Sequence, residues 1–62
     1  MKAHVLFKSG QAAMFEYKNI EMFETDKHDA SAYMKNGGFF GSTEDGFIIN
    51  ALDVSAVQFI EN

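Results

Sequence analysis

The sequence predicts a small α+β protein: a small antiparallel β-sheet or incomplete barrel (two hairpins plus a C-terminal strand) with one short helix around residues 29–36. Three observations carry this expectation. Residues 2–17, KAHVLFKSGQAAMFEY, form two apolar runs about Ser9-Gly10, and residues 38–50 repeat the arrangement about Asp45-Gly46. Residues 29–36, DASAYMKN, favour helix and run into Gly37-Gly38. Residues 56–61, AVQFIE, alternate as a last strand. With 62 residues and no Cys, the chain is read as one domain, 1–62, near the lower size limit for folding without a staple.

In the first hairpin, Gly10 supplies the positive φ of a two-residue loop. That loop sets Lys8 opposite Gln11, Phe7 opposite Ala12, Val5 opposite Met14 and Ala3 opposite Glu16. One face then carries Ala3, Val5, Phe7, Ala12 and Met14. The other carries Leu6, Ala13, Phe15 and Tyr17, mixed with Lys2, His4 and Lys8. A sheet apolar on both sides requires a cover.

Residues 18–28, KNIEMFETDKH, fit neither the helical nor the strand period cleanly, and Thr25 to His28 are weak helix formers. The favoured reading is an extended piece at 20–24 followed by a loop. Its competitor is one longer helix spanning 19–36 and packed on the sheet, with Asn19 as N-cap. Ile20, Phe23, Lys27, Ala30 and Met34 would lie near one side of it. The short helix is expected to start from Asp29 as cap and to present Ala30, Tyr33 and Met34 to the sheet. Lys35 suits its C-terminal dipole, and Gly37 its left-handed cap. Beyond the second hairpin, Asn50 to Asp53 interrupts the apolar run, and Asp53 to Ser55 is read as a 3₁₀ turn. In the last strand Val57 and Phe59 share one side, and Ala56 and Ile60 the other.

The segment GFIINALDVSAVQFIE resembles the closing part of SH3-like small barrels, where one turn of 3₁₀ helix links the last two strands. Preceded by HVLFKSGQAAMFEY, it is similar to many short uncharacterised proteins of phages and prophages. The resemblance implies a bent antiparallel sheet and a phage or prophage setting, and it carries over no functional residue. SH3 domains grip polyproline with an acidic loop and a Trp-Pro-Tyr shelf, whereas this chain has neither Trp nor Pro.

Charge and motifs narrow the function classes. The net charge is −4, with five Lys and no Arg, so a basic stripe and the guanidinium fork are both missing and nucleic acid is a disfavoured partner. No apolar run approaches a signal peptide or a membrane span, so no membrane partner and a cytoplasmic location are expected. Asp26, His28 and Asp29 are the closest set of ligating groups. A structural metal usually needs four, so they read as a solvated loop, with no metal and no cofactor. Glu44, Asp45 and Asp53 lack EF-hand spacing. The serines form no nucleophile elbow, and the glycines no phosphate cradle. No catalytic residue is assigned, and an enzyme is not expected.

The remaining signal is aromatic, with seven Phe and two Tyr. Phe39, Phe40, Phe47, Phe59, Tyr17 and Tyr33 form the candidate partner surface, set against core packing as the alternative. The expected function is a non-enzymatic small protein-interaction module, a phage or prophage accessory protein. Its partner would be another protein or itself, as a homodimer or higher oligomer. One alternative is an acidic effector that mimics nucleic-acid charge on a host protein, using Glu16, Glu21, Glu24, Asp26, Glu44 and Asp45 on one face. Another is single-stranded nucleic-acid binding on a Phe-rich sheet face.

Overall fold

In the computed structural model, which describes residues 1–61, β1 (Lys2–Phe7) pairs antiparallel with β2 (Ala12–Glu16). The register joins Lys2 to Glu16, Ala3 to Phe15, His4 to Met14, Val5 to Ala13 and Leu6 to Ala12. It corrects the two-residue loop by one position. Phe7 donates its amide to Gln11 O at 2.8 Å and Gly10 donates to Phe7 O at 2.9 Å, so the loop is Lys8–Gly10 with Gly10 at φ 96°. A slip of one residue turns all of β2 over. Ala13, Phe15 and Tyr17 therefore join Ala3, Val5 and Phe7 on the inner face, while Ala12 and Met14 face solvent. The physical reason is plain: this register turns two aromatic rings inward, where the other would turn in an Ala and a Met.

The helix α1 spans Ile20–Asn36, which corrects both the short helix at 29–36 and the extended piece at 20–24 in favour of the longer alternative. Asn19 Oδ1 accepts from the amides of Glu21 at 2.9 Å and Met22 at 3.2 Å, supplying the cap that starts the helix early. The weak formers Thr25 to His28 stay helical because Phe23 and Asp26, on the same side, are buried at 0% and 1% exposure. Asp29 caps nothing; its Oδ1 meets His28 Nδ1 at 2.8 Å. Gly37 ends α1 as expected, at φ 104°, with its amide on Tyr33 O at 2.9 Å.

The second hairpin forms much as the pattern predicts. β3 (Phe39–Ser42) pairs with β4 (Phe47–Asn50) through Phe39–Asn50, Phe40–Ile49, Gly41–Ile48 and Ser42–Phe47. The 3₁₀ turn occupies Ala51–Asp53, not Asp53 to Ser55, because Asn50 Oδ1 caps it by accepting the Leu52 amide at 3.0 Å. β5 (Val54–Ile60) consequently starts earlier and runs antiparallel to β1, with a register irregularity between Leu6 and Phe7.

The architecture is α+β: one sheet of order β2-β1-β5 and a second of β3-β4, not closed into a barrel. Ala3, Val5, Tyr17, Phe23, Phe40, Ile49, Ala51 and Val54 make the core between the inner sheet face, α1 and the second hairpin. The accessible surface, 3940 Å², equals the roughly 4,000 Å² expected of a folded monomer of this mass. Closing the core therefore needs no second chain. Among the described residues, no helix is long and apolar enough to cross a membrane.

Candidate interaction surface

Five of the six aromatic residues proposed as a partner surface are drawn into the fold. Phe40 and Tyr17 are buried at 1% and 3% exposure, and Phe47, Phe59 and Tyr33 pack half-buried against the core. Phe39 alone is open, at 60%. The rings form a chain of edge and tilted contacts: Tyr33 to Phe40 at 5.8 Å, Phe40 to Phe59 at 6.1 Å, Phe59 to Phe23 at 5.7 Å and Phe23 to Tyr17 at 5.3 Å. Phe47 continues it, 4.9 Å from both Tyr17 and Phe15. Such pairs add to the apolar area they bury, which explains how so short a chain holds a core. Phe23, the innermost ring, lies in the segment whose period is ambiguous.

A polar centre missing from the sequence reading sits within this core. Asp26 Oδ2 accepts from the Tyr17 hydroxyl at 2.6 Å and from the Gly41 amide at 2.8 Å, tying α1 to the residue that follows β2 and to β3. Its Oδ1 is buried without a protein partner. Burial raises the Asp26 carboxyl above its ordinary value, with the two hydrogen bonds offsetting only part of the effect. Burial and the adjacent Asp26 also push the Tyr17 phenol far up. Both side chains lie beneath the surface, so the pair acts as a clasp within the protein and not as a group presented to a ligand.

Asp45 is the second buried acid, at 4% exposure. It fills its expected turn position, with its amide on Ser42 O at 3.1 Å. Its carboxylate also reaches the other end of the fold. Oδ1 accepts the amides of Lys18 and Asn19, each at 2.8 Å, and Oδ2 accepts the Ser42 hydroxyl at 2.7 Å. Burial works to raise this carboxyl, but the Ser42, Asn19 and Lys18 hydrogen bonds prevail and hold it below its ordinary value. Of the six acids in the charge-mimicry reading, Asp26 and Asp45 are thus interior, while Glu16, Glu21, Glu24 and Glu44 are exposed. Of the three candidate metal ligands, Asp26 points into the core and the His28 side chain is 87% exposed.

Besides Ile20 and Leu52, exposed at 59% and 45%, three places on the surface of the described residues stand open. The outer face of the larger sheet shows Leu6 at 41% and Met14 at 53% beside His4, Ala12, Ala56 and Gln58. The outer side of the second hairpin shows Phe39 and Ile48, at 60% and 56%. The third place is a backbone edge. From Ser55 to Ile60, and among the described residues, β5 has backbone pairing with β1 alone. Its seven residues, VSAVQFI, carry no charge. Beside it runs an open groove of about 500 Å³, lined by Ala30, Ser31, Met34 and Lys35 of α1 and by Ala56 and Val57 of β5.

Protein-edge strands are usually blunted by shortness, charge, Pro or a covering element, because unpaired amides and carbonyls template the addition of another strand. β2, the opposite edge, is shorter and ends in Glu16. β5 is longer, and its unpaired side borders an open groove. The signal for it was present in the uncharged alternation of AVQFI, residues 56–60; that its far side stays open is a property of the tertiary fold. Comparisons with protein-family models, curated proteins and solved structures give no match for this chain.

Proposed function

We propose that the chain is a non-enzymatic protein-interaction module that docks a partner by adding an extended segment to the free edge of β5. The observation that carries this is the uncharged seven-residue edge strand lying beside an open, largely apolar groove. Strand addition takes its affinity from main-chain hydrogen bonds and its selectivity from alternate side chains of the incoming segment. Here those side chains would meet Ala30, Met34 and Val57 on one side and the Leu6–Ala56 outer face on the other. The phage or prophage setting belongs to the same proposal and rests on the sequence resemblance.

The test is affinity capture from a bacterial lysate with the wild-type chain and with an Ala56→Lys/Gln58→Lys variant, both substitutions at exposed positions of β5. Proteins retained by the wild type and lost by the variant support the reading. Proteins retained equally by both place the contact elsewhere and overturn it.

A further inference from the structure

We infer that Asn36 is a self-modification site: when the last turn of α1 opens, the Gly37 backbone nitrogen attacks the Asn36 side-chain amide, and the residue becomes aspartate or isoaspartate. The Gly37 nitrogen forms a bond to Asn36 Cγ, and the bond from Cγ to the side-chain nitrogen breaks. That nitrogen takes up the displaced Gly37 proton and leaves as ammonia. Water then opens the cyclic imide at either of its carbonyls. One opening restores the main chain with an Asp side chain; the other leaves the chain running through the side-chain carbons.

Asn36 ends α1 and is exposed, and Gly37 has no Cβ to crowd the attacking nitrogen. In the closed helix the Gly37 amide donates to Tyr33 O at 2.9 Å, which withholds that nitrogen from Asn36. The protection is shallow. Lys35 and Asn36 are exposed, so the end of the helix opens without uncovering the core. The other asparagines among the described residues are held. Asn19 Oδ1 caps the Glu21 and Met22 amides, its Nδ2 donates to Glu44 at 2.7 Å, and the branched Ile20 follows it. Asn50 Oδ1 accepts the Leu52 amide, and the nitrogen that would attack it, that of buried Ala51, donates to Gly38 O at 2.9 Å. Asp45 also precedes a glycine, but its carboxylate is buried among the Lys18, Asn19 and Ser42 donors.

The product weakens the cap that Gly37 makes. Isoaspartate lengthens the main chain by one carbon between Asn36 Cα and the Gly37 nitrogen, drawing the Gly37 amide off Tyr33 O. Either acid places a carboxylate at the negative end of the α1 dipole. Gly38 comes next, packed so close to the Tyr33 ring that a Cβ there would stand 2.6 Å from Cδ1. Its carbonyl holds the Ala51 amide, so the slack passes to the entry of β3.

Peptide mapping by mass spectrometry, with fragmentation that separates aspartate from isoaspartate, tests this on the purified full chain after weeks at mildly alkaline pH. In the native chain the amide is expected to be lost at Asn36 and kept at Asn19 and Asn50. The native reaction at Asn36 should run about tenfold or more slower than in guanidinium chloride. Ala32→Gly, at an exposed position of α1, opens the last turn more often and should quicken the native reaction about threefold or more, with thermal melts to check that the fold persists. Gly37 amide exchange should be about threefold or more faster in the converted chain. An Asn36 amide that stays whole in the native chain, while the chain in guanidinium chloride converts, overturns the site. Native loss spread evenly over Asn19, Asn36 and Asn50, or a native rate indifferent to Ala32→Gly, overturns the gating by the last turn.

Discussion

The Tyr17 hydroxyl donates to Asp26 Oδ2 at 2.6 Å, joining the end of the first hairpin to the middle of α1 inside the core. Removing the hydroxyl leaves the carboxyl with the Gly41 amide as its remaining partner. Tyr17→Phe is therefore expected to cost about 1–3 kcal/mol, the range for leaving a buried polar group short of a partner, read from urea unfolding.

The pH dependence of this clasp has a definite sign. Because burial raises the Asp26 carboxyl, the folded state holds a proton that the unfolded state gives up near the ordinary value of 3.8. The stability it contributes is complete below that value and is lost as pH rises through the raised one. The wild type, measured relative to Asp26→Asn by urea unfolding, should lose stability from about pH 4 upward and then level off. A difference that grows with pH would contradict the buried, raised carboxyl.

Asp45 has the opposite sign. Its carboxyl is held low, so its contribution is present above 3.8 and is lost as pH falls through the lowered value. Asp45→Ala leaves the amides of Lys18 and Asn19 without their acceptor and should cost about 2 kcal/mol at neutral pH. NMR amide exchange should show fraying concentrated in the first turn of α1.

Gly41 has φ 83°, and a Cβ there would stand 2.3 Å from Phe47 O. Gly41→Ala combines left-handed strain with a backbone clash, and it tilts the amide that serves Asp26. A loss of at least about 2 kcal/mol in chemical denaturation is expected.

The hairpin register makes its own prediction. Phe15 faces the core and touches Phe47, while Met14 is 53% exposed. Phe15→Ala should cost about 2 kcal/mol or more, and Met14→Ala no more than about 0.5 kcal/mol. The reverse order would restore the two-residue loop.

How far the sequence could be read depends on which interactions are local. The second hairpin was legible because Asp45-Gly46 states its turn within four residues, and Gly37 stated the end of α1 as clearly. The first hairpin was legible as a hairpin but not in register, since Ser9-Gly10 fits either a two-residue loop or one closed over Lys8–Gly10, and only burial of Phe15 and Tyr17 decides. The start of α1 was illegible for a stronger reason. Residues 20–28 are held helical by Asn19, by Asp45 far along the chain and by the burial of Phe23 and Asp26. Asp26, flanked by Thr25 and Lys27, reads locally as a solvated acid, and nothing nearby in sequence announces Tyr17 or Gly41 as its partners. The aromatic residues were seen, but which of them face out is a tertiary fact: Phe39 and Phe40 are neighbours with opposite fates. The free edge of β5 belongs to the same class, visible only once β1 has taken its other side.

Amide hydrogen exchange across β5, measured by NMR on the chain alone and with a protein captured by the wild type and lost by the Ala56→Lys/Gln58→Lys variant, tests the edge-docking claim most directly. Edge docking requires that amides in Ser55–Ile60 pointing away from β1 exchange freely in the chain alone and become protected when that partner is added, while the free edges of β2 and β3-β4 do not change. Protection that appears instead on β2 or on the Phe39–Ile48 hairpin, with β5 exchanging at one rate throughout, would contradict it.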